Sequence, residues 1–560
     1  MGNGAGWHEA GRHGAGRHET VRHETGRHET GRHEVRRHGA RRHEAGWHEA
    51  GWHGKLRSRR AAPAILIAIV AGLGTLASTP QAALAASSAT GLSSLTLSGR
   101  QISAGAGQTC TIENGAGYCW GRNADGEVGD GNTTNSSVPV PVNANGALNG
   151  KILTQVSAGD EFNCALASTG AAYCWGSNAD GQLGDGATIR STVPIAVRTS
   201  GVLHGLTLTQ VSAAGETACA LASTGAAYCW GDNADGQLGD GSLASTSVPV
   251  AVSTSGVLNG KTLTQIAVGS DHACALTSTG TAYCWGSDAT GGLGNAATTS
   301  SSVPVAVSTS GVLASKTLVQ ITAASGDTCA LDSNGAAYCW GDNADGQLGD
   351  GTTVNTDVPV TVSITGVLAA KTLTQISASD DHTCALDSTG AAYCWGDNAN
   401  GQLGNASTTT TDVPVTVSTS GLLSGRTVTQ ISAGAGDTCA VDSRGAIFCW
   451  GTDALGQLGN DGISSQDVPV LAGPEAPTDV TASRSNGTAT IFWTAPANLD
   501  TGTLIGYTAT ASPGGRTCIT TGTTNCVISG LNNNLTYSVT VVARTTVGYS
   551  GASLAATVAR

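Results

Sequence analysis

Short apolar runs alternate with clusters of Gly, Ser, Asn and Asp along most of the chain, and one such pattern recurs seven times. In the clearest copy, residues 207–251, the four runs read LTQVSA, ACALA, AAYCW and VPVAV. Runs of this length that are bounded by turn-forming residues are typical of β-strands. The pattern therefore predicts four strands in each copy.

The copies share one length. Each contains a Cys-Trp pair, and these pairs repeat every 55 residues, at 119–120, 174–175, 229–230, 284–285, 339–340, 394–395 and 449–450. One copy holds too few apolar residues to fold alone, so neighbouring copies must stack. We predict a seven-bladed β-propeller over residues 90–472, because radial closure protects the strand edges that an open array would expose.

The string YCWGDNADGQLGDG and its variants, such as YCWGSNADGQLGDG, resemble the signature of the regulator of chromosome condensation repeat. The resemblance covers about residues 95–471 and is weakest in the fourth copy, which reads GSDATGGLGNA at 286–296. It implies a seven-bladed propeller, in agreement with the spacing. Founding members of that family exchange nucleotide on a small GTPase, a partner that an exported chain would not meet. In setting, the chain is more similar to secreted bacterial propellers that inhibit β-lactamases by protein contact.

A different, alternating pattern begins after residue 473 and resembles a fibronectin type III domain. The resemblance implies an immunoglobulin-like β-sandwich over residues 475–560, in which Trp and Tyr pack between two sheets. The folded part of the chain is therefore expected to be all-β. The matching residues are Pro477, Trp493, Tyr507, Leu531 and Tyr537.

Residues 1–60 follow a five-residue period, as in RHETG, and contain ten of the 13 His. This period fits neither helix nor strand, so we predict a disordered tail; metal binding by the regular His is the weaker alternative. A basic segment, an apolar run and the small-residue pattern Ala83-Leu84-Ala85 follow. Residues 61–85 therefore predict a cleaved signal peptide, with an uncleaved membrane anchor as the alternative. The protein is expected to be secreted or held at the cell surface.

A second Cys precedes each Cys-Trp pair by nine or ten residues. Pairing outward from a three-residue loop places Cys164 opposite Cys174, and the shorter Asn114-Gly115 turn places Cys110 opposite Cys119. Export favours disulfides over buried thiols, and a metal site would need further ligands that the copies lack. The predicted bridges are Cys110–Cys119, Cys164–Cys174, Cys219–Cys229, Cys274–Cys284, Cys329–Cys339, Cys384–Cys394, Cys439–Cys449 and Cys518–Cys526.

The net charge of −13 hides an asymmetry. Residues 1–60 carry 13 Lys and Arg against 7 Asp and Glu, so the rest of the chain carries −19. An acidic body repels phosphate backbones, so nucleic-acid binding is not expected. The expected partner is an extracellular protein, favoured to be basic, and the chain is expected to be a monomer without a cofactor.

The segment between the first strand and the first Cys differs most among the copies, and residues that differ are free to serve a partner. If the blades radiate, this segment forms an acidic ring on one face; a solvated loop rim is an equal alternative. Phe162 is the candidate apolar anchor of the ring. The candidate partner-binding residues are Asp160, Glu161, Phe162, Glu216, Asp271, His272, Asp327, Asp381, His382 and Asp437, with Asp380 beside them.

No catalytic constellation emerges from the folded part. Beyond the tail only His204, His272 and His382 remain, and a His at the last two positions is usual in the repeat family, where its role is structural. The run DNADG at 232–236 has carboxylates at its first and fourth positions, whereas a calcium hand needs the first, third and fifth. It therefore predicts a turn and not a metal site.

The predicted function is a non-catalytic, extracellular or cell-surface module that binds a protein through its propeller loops. Two alternatives stay open. One is a structural or adhesion protein of the cell envelope, suggested by the fibronectin-like module. The other is the non-catalytic part of a carbohydrate-associated system.

Overall fold

The computed structural model describes residues 100–559 apart from 498, 500–502, 547 and 554. The predictions for the pentapeptide tail and the export segment concern residues 1–85 and lie outside the described residues. The described chain consists of strands, loops and two 3-10 turns at Gly311–Leu313 and Gly366–Leu368. Within it, no helix has the length and apolarity of a membrane span. The predicted all-β class is confirmed.

Each of the seven copies forms one antiparallel sheet of four strands, whose spatial order follows the chain order. Blades 1 to 3 contain β1 (Gln101–Ala104), β2 (Gln108–Glu113), β3 (Ala116–Gly121), β4 (Ser136–Pro141), β5 (Leu153–Ala158), β6 (Phe162–Ala167), β7 (Ala172–Gly176), β8 (Ser191–Ala196), β9 (Leu208–Ala214), β10 (Thr217–Ala222), β11 (Ala227–Gly231) and β12 (Thr246–Ala251).

The remaining four blades repeat this plan. They contain β13 (Leu263–Val268), β14 (His272–Thr277), β15 (Ala282–Gly286), β16 (Ser301–Ala306), β17 (Leu318–Ala323), β18 (Asp327–Asp332), β19 (Ala337–Gly341), β20 (Thr356–Thr361), β21 (Leu373–Ala378), β22 (His382–Asp387), β23 (Ala392–Gly396), β24 (Thr411–Thr416), β25 (Val428–Ala433), β26 (Asp437–Asp442), β27 (Ile447–Gly451) and β28 (Gln466–Leu471).

The first strand of each blade is the innermost. First strands contact first strands of the neighbouring blades all the way round, and β1 of blade 1 contacts β25 of blade 7. The seven blades therefore close into a ring around a central channel. Among the strands that the structure describes, every blade is built from a single copy and none is exchanged between the first and last copies.

A glutamine in each first strand satisfies the inner edge of the next blade. The side chain of Gln210 donates to the carbonyl of Ile266 at 2.9 Å and accepts from the N–H of Ile266 at 2.9 Å. Without such partners the polar groups of an inner strand edge would stay unpaired. The glutamines that accept in this way are Gln101, Gln155, Gln210, Gln265, Gln320, Gln375 and Gln430.

The Trp after the second Cys fixes each blade to the preceding one. Trp230 is fully buried, and its Nε1 donates to the carbonyl of Gln182 at 2.9 Å. Gly184, two residues after Gln182, has a φ of 68°, and a Cβ there would lie 2.7 Å from Nε1 of Trp230. Only glycine fits this position, which explains the last residue of the Gly-Gln-Leu-Gly step.

The structure joins all eight predicted cysteine pairs. In the propeller each bridge links directly opposite residues of the second and third strands, with Cα atoms 4.0–4.1 Å apart. The two-residue turn of blade 1 takes the expected form, since Asn114 and Gly115 have φ values of 49° and 82°.

The carboxy-terminal module is a two-sheet sandwich. The rings of Trp493 and Tyr507 meet edge to face in its core, 5.2 Å between centroids, and the hydroxyl of Tyr537 accepts from the N–H of Asn532 at 2.8 Å. Cys518–Cys526 links the two sheets. One sheet contains β29 (Thr478–Ser485), β30 (Thr488–Thr494) and β33 (Asn525–Ser529), and the other β31 (Leu504–Ser512), β32 (Arg516–Thr520), β34 (Tyr537–Thr545), β35 (Gly548–Ala552) and β36 (Ala556–Val558).

Candidate functional site

Two sets of loops lie at the same end of the propeller. The strands of each blade alternate in direction, so the connection from first to second strand and the connection from third to fourth strand share one end. Because the first strands surround the channel, the first set of loops frames its mouth. The second set lies farther out at the same end.

The two ends of the propeller differ sharply in charge. In the described blades, the loops at the mouth end contain 21 Asp and Glu against two Arg, whereas the connections at the opposite end contain seven Lys and Arg and no Asp or Glu. Both arginines at the mouth end are in ion pairs: Arg122 lies 2.7 Å from Glu161, and Arg190 lies 3.2 Å from Asp125. The negative charge of the propeller is therefore concentrated at the mouth end.

Six acidic residues stand on the loops that frame the channel. Glu216 and Asp271 are exposed and the other four are half-buried. They come from blades 2, 3, 4 and 6, and we call them the acidic mouth: Asp160, Glu161, Glu216, Asp271, Asp380 and Asp381.

Carboxylates from different blades face one another over the channel. Burial, together with repulsion from Asp160, Asp381 and Asp271, raises the pKa of Asp380 to about 7. Asp160 belongs to blade 2 and Asp380 to blade 6, so the repulsion acts between loops that are not neighbours in the ring. Like charges on converging loops create a negative potential that attracts cationic groups.

A carboxyl pair from neighbouring blades adds to this charge. Burial, with a hydrogen bond to the side chain of Asp180, raises the pKa of Glu216 to about 7. Protonation of one member would relieve the repulsion within the pair. Near neutral pH the acidic mouth is therefore only partly ionised, and a cationic partner would increase its ionisation.

Sequence reasoning missed the contribution of the outer loops, whose aspartates it assigned only to turns. Besides burial, Asp235 and Asp232 raise the pKa of Asp271, and Asp345 and Asp397 raise that of Asp381. The available signal was the recurrence of Asp in the outer loop of successive copies. These residues extend the acidic surface outward from the channel.

Five predicted contact residues are buried and cannot meet a partner. Phe162, His272, Asp327, His382 and Asp437 each begin the second strand of their blade, and none is more than 1% exposed. The predicted role of Phe162 as an apolar anchor is wrong. Its ring packs over Gly159, where an added Cβ would lie 2.8 Å from the ring.

The same position bridges blades where it is histidine. Nε2 of His272 lies 2.8 Å from Oγ1 of Thr328, and Nε2 of His382 lies 2.7 Å from Oγ1 of Thr438, both in the next blade. Burial lowers the pKa of each His to about 4, so both are neutral at physiological pH. These side chains belong to the packing between blades.

Family comparisons agree with this architecture. A model of the RCC1-like domain matches residues 191–492, and models of the regulator of chromosome condensation (RCC1) repeat match residues 114–166 and 153–182. The fibronectin type III model matches residues 475–559. The first of these matches alone spans more than half of the chain.

Similar proteins include receptors and ligases. The ultraviolet-B receptor UVR8 of Arabidopsis thaliana is 31% identical over 360 residues, which cover 64% of this chain and 78% of the receptor. The human E3 ubiquitin-protein ligase HERC2 is 29% identical over 375 residues, which cover 66% of this chain and only 7% of the ligase.

Two solved structures share the propeller fold. Human WBSCR16 superimposes with a TM-score of 0.55 at 21% identity and covers 65% of this chain and 95% of its own. Yeast RCC1 superimposes with a TM-score of 0.54 at 19% identity and covers 63% of this chain and 83% of its own. At these identities the likeness establishes the fold alone.

Proposed function

The chain belongs to the RCC1-like family of β-propellers, and from that premise we propose that it is a non-catalytic interaction module that binds a basic protein through the acidic mouth. The propeller supplies a rigid ring, and the loops of several blades converge on one surface. Loops that are held by a closed ring form a surface that is pre-organised for binding.

The observation that carries the proposal is the separation of charge between the two ends. Carboxylates dominate the loops at the mouth end, whereas the connections at the other end carry basic side chains, three of which pair with Asp332, Asp387 and Asp442 at strand ends. Complementary potentials steer encounter and select partners, and they weaken with added salt. A basic protein would therefore approach the channel mouth first, whereas nucleic acid would be repelled from it.

An extracellular location is part of the proposal. It is supported by the export signal predicted at residues 61–85 and by eight disulfides, which form and persist in oxidising compartments. The names of the relatives describe a receptor and a ubiquitin ligase, and the match covers too little of the ligase to carry its activity to this chain.

The test is capture of extracellular proteins on the immobilised full chain at low and high salt. A mouth variant carries Glu216→Gln, Asp271→Asn and Asp381→Asn. The matched control carries Asp357→Asn, Asp412→Asn and Asp467→Asn on the outermost strands β20, β24 and β28, so it loses the same number of carboxyl groups away from the channel.

A basic protein should bind the wild type and the control, elute with salt, and fail to bind the mouth variant. Equal capture by all three proteins would show that another surface is responsible, and an equal loss of capture by the two variants would show that net charge is responsible. Direct titration of the captured protein against the three chains would then measure the loss of affinity, which we expect to be at least tenfold for the mouth variant.

Adhesion or a structural role in the cell envelope is the second candidate, favoured by the fibronectin type III module. The outer face of its three-stranded sheet exposes Phe492 on β30 and Val527 on β33, which are 49% and 50% exposed. If Phe492→Ala with Val527→Ala abolished binding to cells and the mouth variant did not, this function would replace the first.

A further inference from the structure

The outer loops at the mouth end expose aliphatic side chains in four of the seven blades. Ile189 of blade 2 is 76% exposed and Leu243 of blade 3 is 64% exposed, and Val354 of blade 5 and Ile463 of blade 7 are exposed to a similar extent. All four stand at two adjacent positions of a loop that has the same length in every blade. Because single exposed aliphatic residues are ordinary on a protein surface, their distribution among the blades decides what they mean.

The fold does not need an aliphatic residue at these positions. The other three blades have two consecutive threonines there, at 133–134, 298–299 and 408–409, and all six are exposed. The packing between blades therefore does not depend on an apolar side chain in this part of the loop. An aliphatic residue that is exposed and not required by the fold is available to a partner.

Blades 2 and 3 combine these aliphatic residues with the acidic mouth. Their inner loops carry Asp160, Glu161 and Glu216, and the inner loop of blade 4 adds Asp271. The outer loop of blade 2 also contributes Asp180, whose side chain forms a hydrogen bond with Glu216. On the other side of the channel the two features do not coincide, since the carboxylates belong to blade 6 and the aliphatic residues to blades 5 and 7.

This side of the mouth keeps its negative charge although both arginines of the mouth end lie there. The arginines are already held in ion pairs, Arg122 with Glu161 and Arg190 with Asp125. The ion pairs formed by the described residues do not include Asp160, Glu216 or Asp271. These three carboxyl groups are therefore left for the cationic groups of a partner.

The spacing of the two features matches the width of an α-helix. The inner loop joins the first strand to the second and the outer loop joins the third to the fourth, so the loops of one blade lie two strand spacings apart, about 10 Å. An α-helix with its side chains is about 10–12 Å wide. A helix that lay along blades 2 and 3 would contact inner-loop carboxylates with the edge nearer the channel and the two aliphatic residues with the opposite edge.

We propose that blades 2 and 3 bind a cationic amphipathic helix, whose basic face contacts the acidic mouth and whose apolar face contacts Ile189 and Leu243. The proposal rests on the proposed function and specifies the partner of the same site. Opposite charges bring the helix to the channel mouth, and burial of the aliphatic side chains adds an attraction that salt does not screen. A basic segment without an apolar face would use the first contribution alone.

The probes are two synthetic peptides of one composition, each of about 18 residues so that the helix is long enough to form. The amphipathic peptide has Lys on one face and Leu on the other, and its isomer has the same residues distributed around all faces. Both carry a fluorescent label, and anisotropy measures Kd for the full chain in 150 mM NaCl at pH 7.5. The wild type should bind the amphipathic peptide at least tenfold more tightly than the isomer.

Two pairs of substitutions locate the apolar contact without changing any charge. Ile189→Thr with Leu243→Thr removes it from blades 2 and 3, and Val354→Thr with Ile463→Thr makes the matched change in blades 5 and 7. Both variants should fold, because threonine occupies these positions in other blades. The first variant should bind the amphipathic peptide about tenfold more weakly and no better than the isomer, whereas the second should match the wild type.

Equal Kd values of the amphipathic peptide for the wild type and the first threonine variant would overturn the inference, and so would a wild type that does not distinguish the two peptides. Equal losses in the two threonine variants would also overturn it, in favour of a partner that covers the whole mouth end. The mouth variant tests the proposed function separately. If it alone lost both peptides, the acidic mouth would stand without the apolar contact; if it bound both as the wild type does, the proposed function would fail as well.

Discussion

Nε1 of Trp120 in blade 1 donates to the carbonyl of Gln457 in blade 7 at 2.8 Å, across 337 residues of chain. The same hydrogen bond joins each other pair of neighbouring blades, for example Trp285 to Gln237 at 2.9 Å. The interface that closes the ring is therefore chemically equivalent to the interfaces between consecutive copies. Its strength depends on the glycine that lies against the indole.

Replacing that glycine should destabilise the ring. Gly239 has a φ of 67°, and an added Cβ would lie 2.6 Å from Nε1 of Trp285. Gly260 has a φ of 71° with nothing within 4 Å, so it isolates the cost of the backbone conformation. We expect Gly260→Ala to lower the free energy of unfolding by about 1 kcal/mol and Gly239→Ala by about 3 kcal/mol, measured by urea denaturation. Equal losses of free energy would mean that the indole of Trp285 shifts to make room for the methyl group at little cost.

The glutamines of the first strands should contribute more to the free energy of unfolding than the residues beside them in the same strands. Gln210→Ala removes both partners of Ile266 and should cost about 2 kcal/mol. The control is Thr209→Val, because blade 5 itself has Val319 at that position, and it should cost under about 1 kcal/mol. Denaturant unfolding of both variants measures the difference, and similar losses would argue against the edge-pairing role of the glutamines.

The disulfides should differ in their resistance to reductant. The propeller cysteines are fully buried, whereas Cys518 and Cys526 are half-buried. Mild reduction of the folded chain followed by alkylation should therefore label those two first, and all 16 only after denaturation. Peptide mass spectrometry identifies the labelled sites. Free thiols in the propeller before any reduction would contradict the bridges.

The contributions of Asp380 and Asp387 to stability should change with pH in opposite directions. The folded-state pKa of Asp380 is about 7, above its value in the unfolded chain, so the stability that it contributes at low pH is lost as pH rises from about 4 through 7. Asp380→Asn should therefore raise Tm relative to wild type at pH 8, with the gain vanishing near pH 4.

Asp387 provides the contrast. Burial would raise its pKa, but hydrogen bonds from Thr389 and Ala391 and the ammonium of Lys371, 3.0 Å away, lower it. Its contribution is present above about pH 4 and is lost as pH falls further. Asp387→Asn should lower Tm at pH 7 and have little effect at strongly acidic pH. Thermal unfolding across the pH range tests both variants. If both substitutions shifted Tm in the same direction, the opposite pKa shifts assigned to Asp380 and Asp387 would be wrong.

Local chemistry made the propeller and its disulfides predictable. The number of residues between paired cysteines and the turn at Asn114-Gly115 fix which residues face each other, so the pairing of Cys110 with Cys119 follows from the sequence of one hairpin. The ring of glutamines could not be found in this way. Gln210 stands in a run that recurs in every copy, but its partner Ile266 lies 56 residues further on, in another blade.

The candidate site was only partly predictable for a related reason. Phe162 follows two acidic residues, and its position differs among the copies, which suggested freedom to serve a partner. The variation instead reflects fitting between neighbouring blades, as His272 with Thr328 shows. Residues differ among the copies of one chain either because they contact a binding partner or because they pack against a neighbouring blade. Whether the side chain is exposed or buried distinguishes the two cases.

Because each blade comes from one copy, no strand between residues 100 and 559 joins the sheet of the first blade to that of the last. A propeller pulled at its two ends would load the interface between blades 1 and 7, which side-chain hydrogen bonds, packing and a few backbone hydrogen bonds between loops hold together. The blades would then unfold one at a time, and the hairpin closed by each disulfide would not extend under tension. Of every copy about 45 residues could extend, roughly 150 Å per step. Under tension the propeller would lengthen in equal steps, one blade at a time, and so limit the force that it transmits.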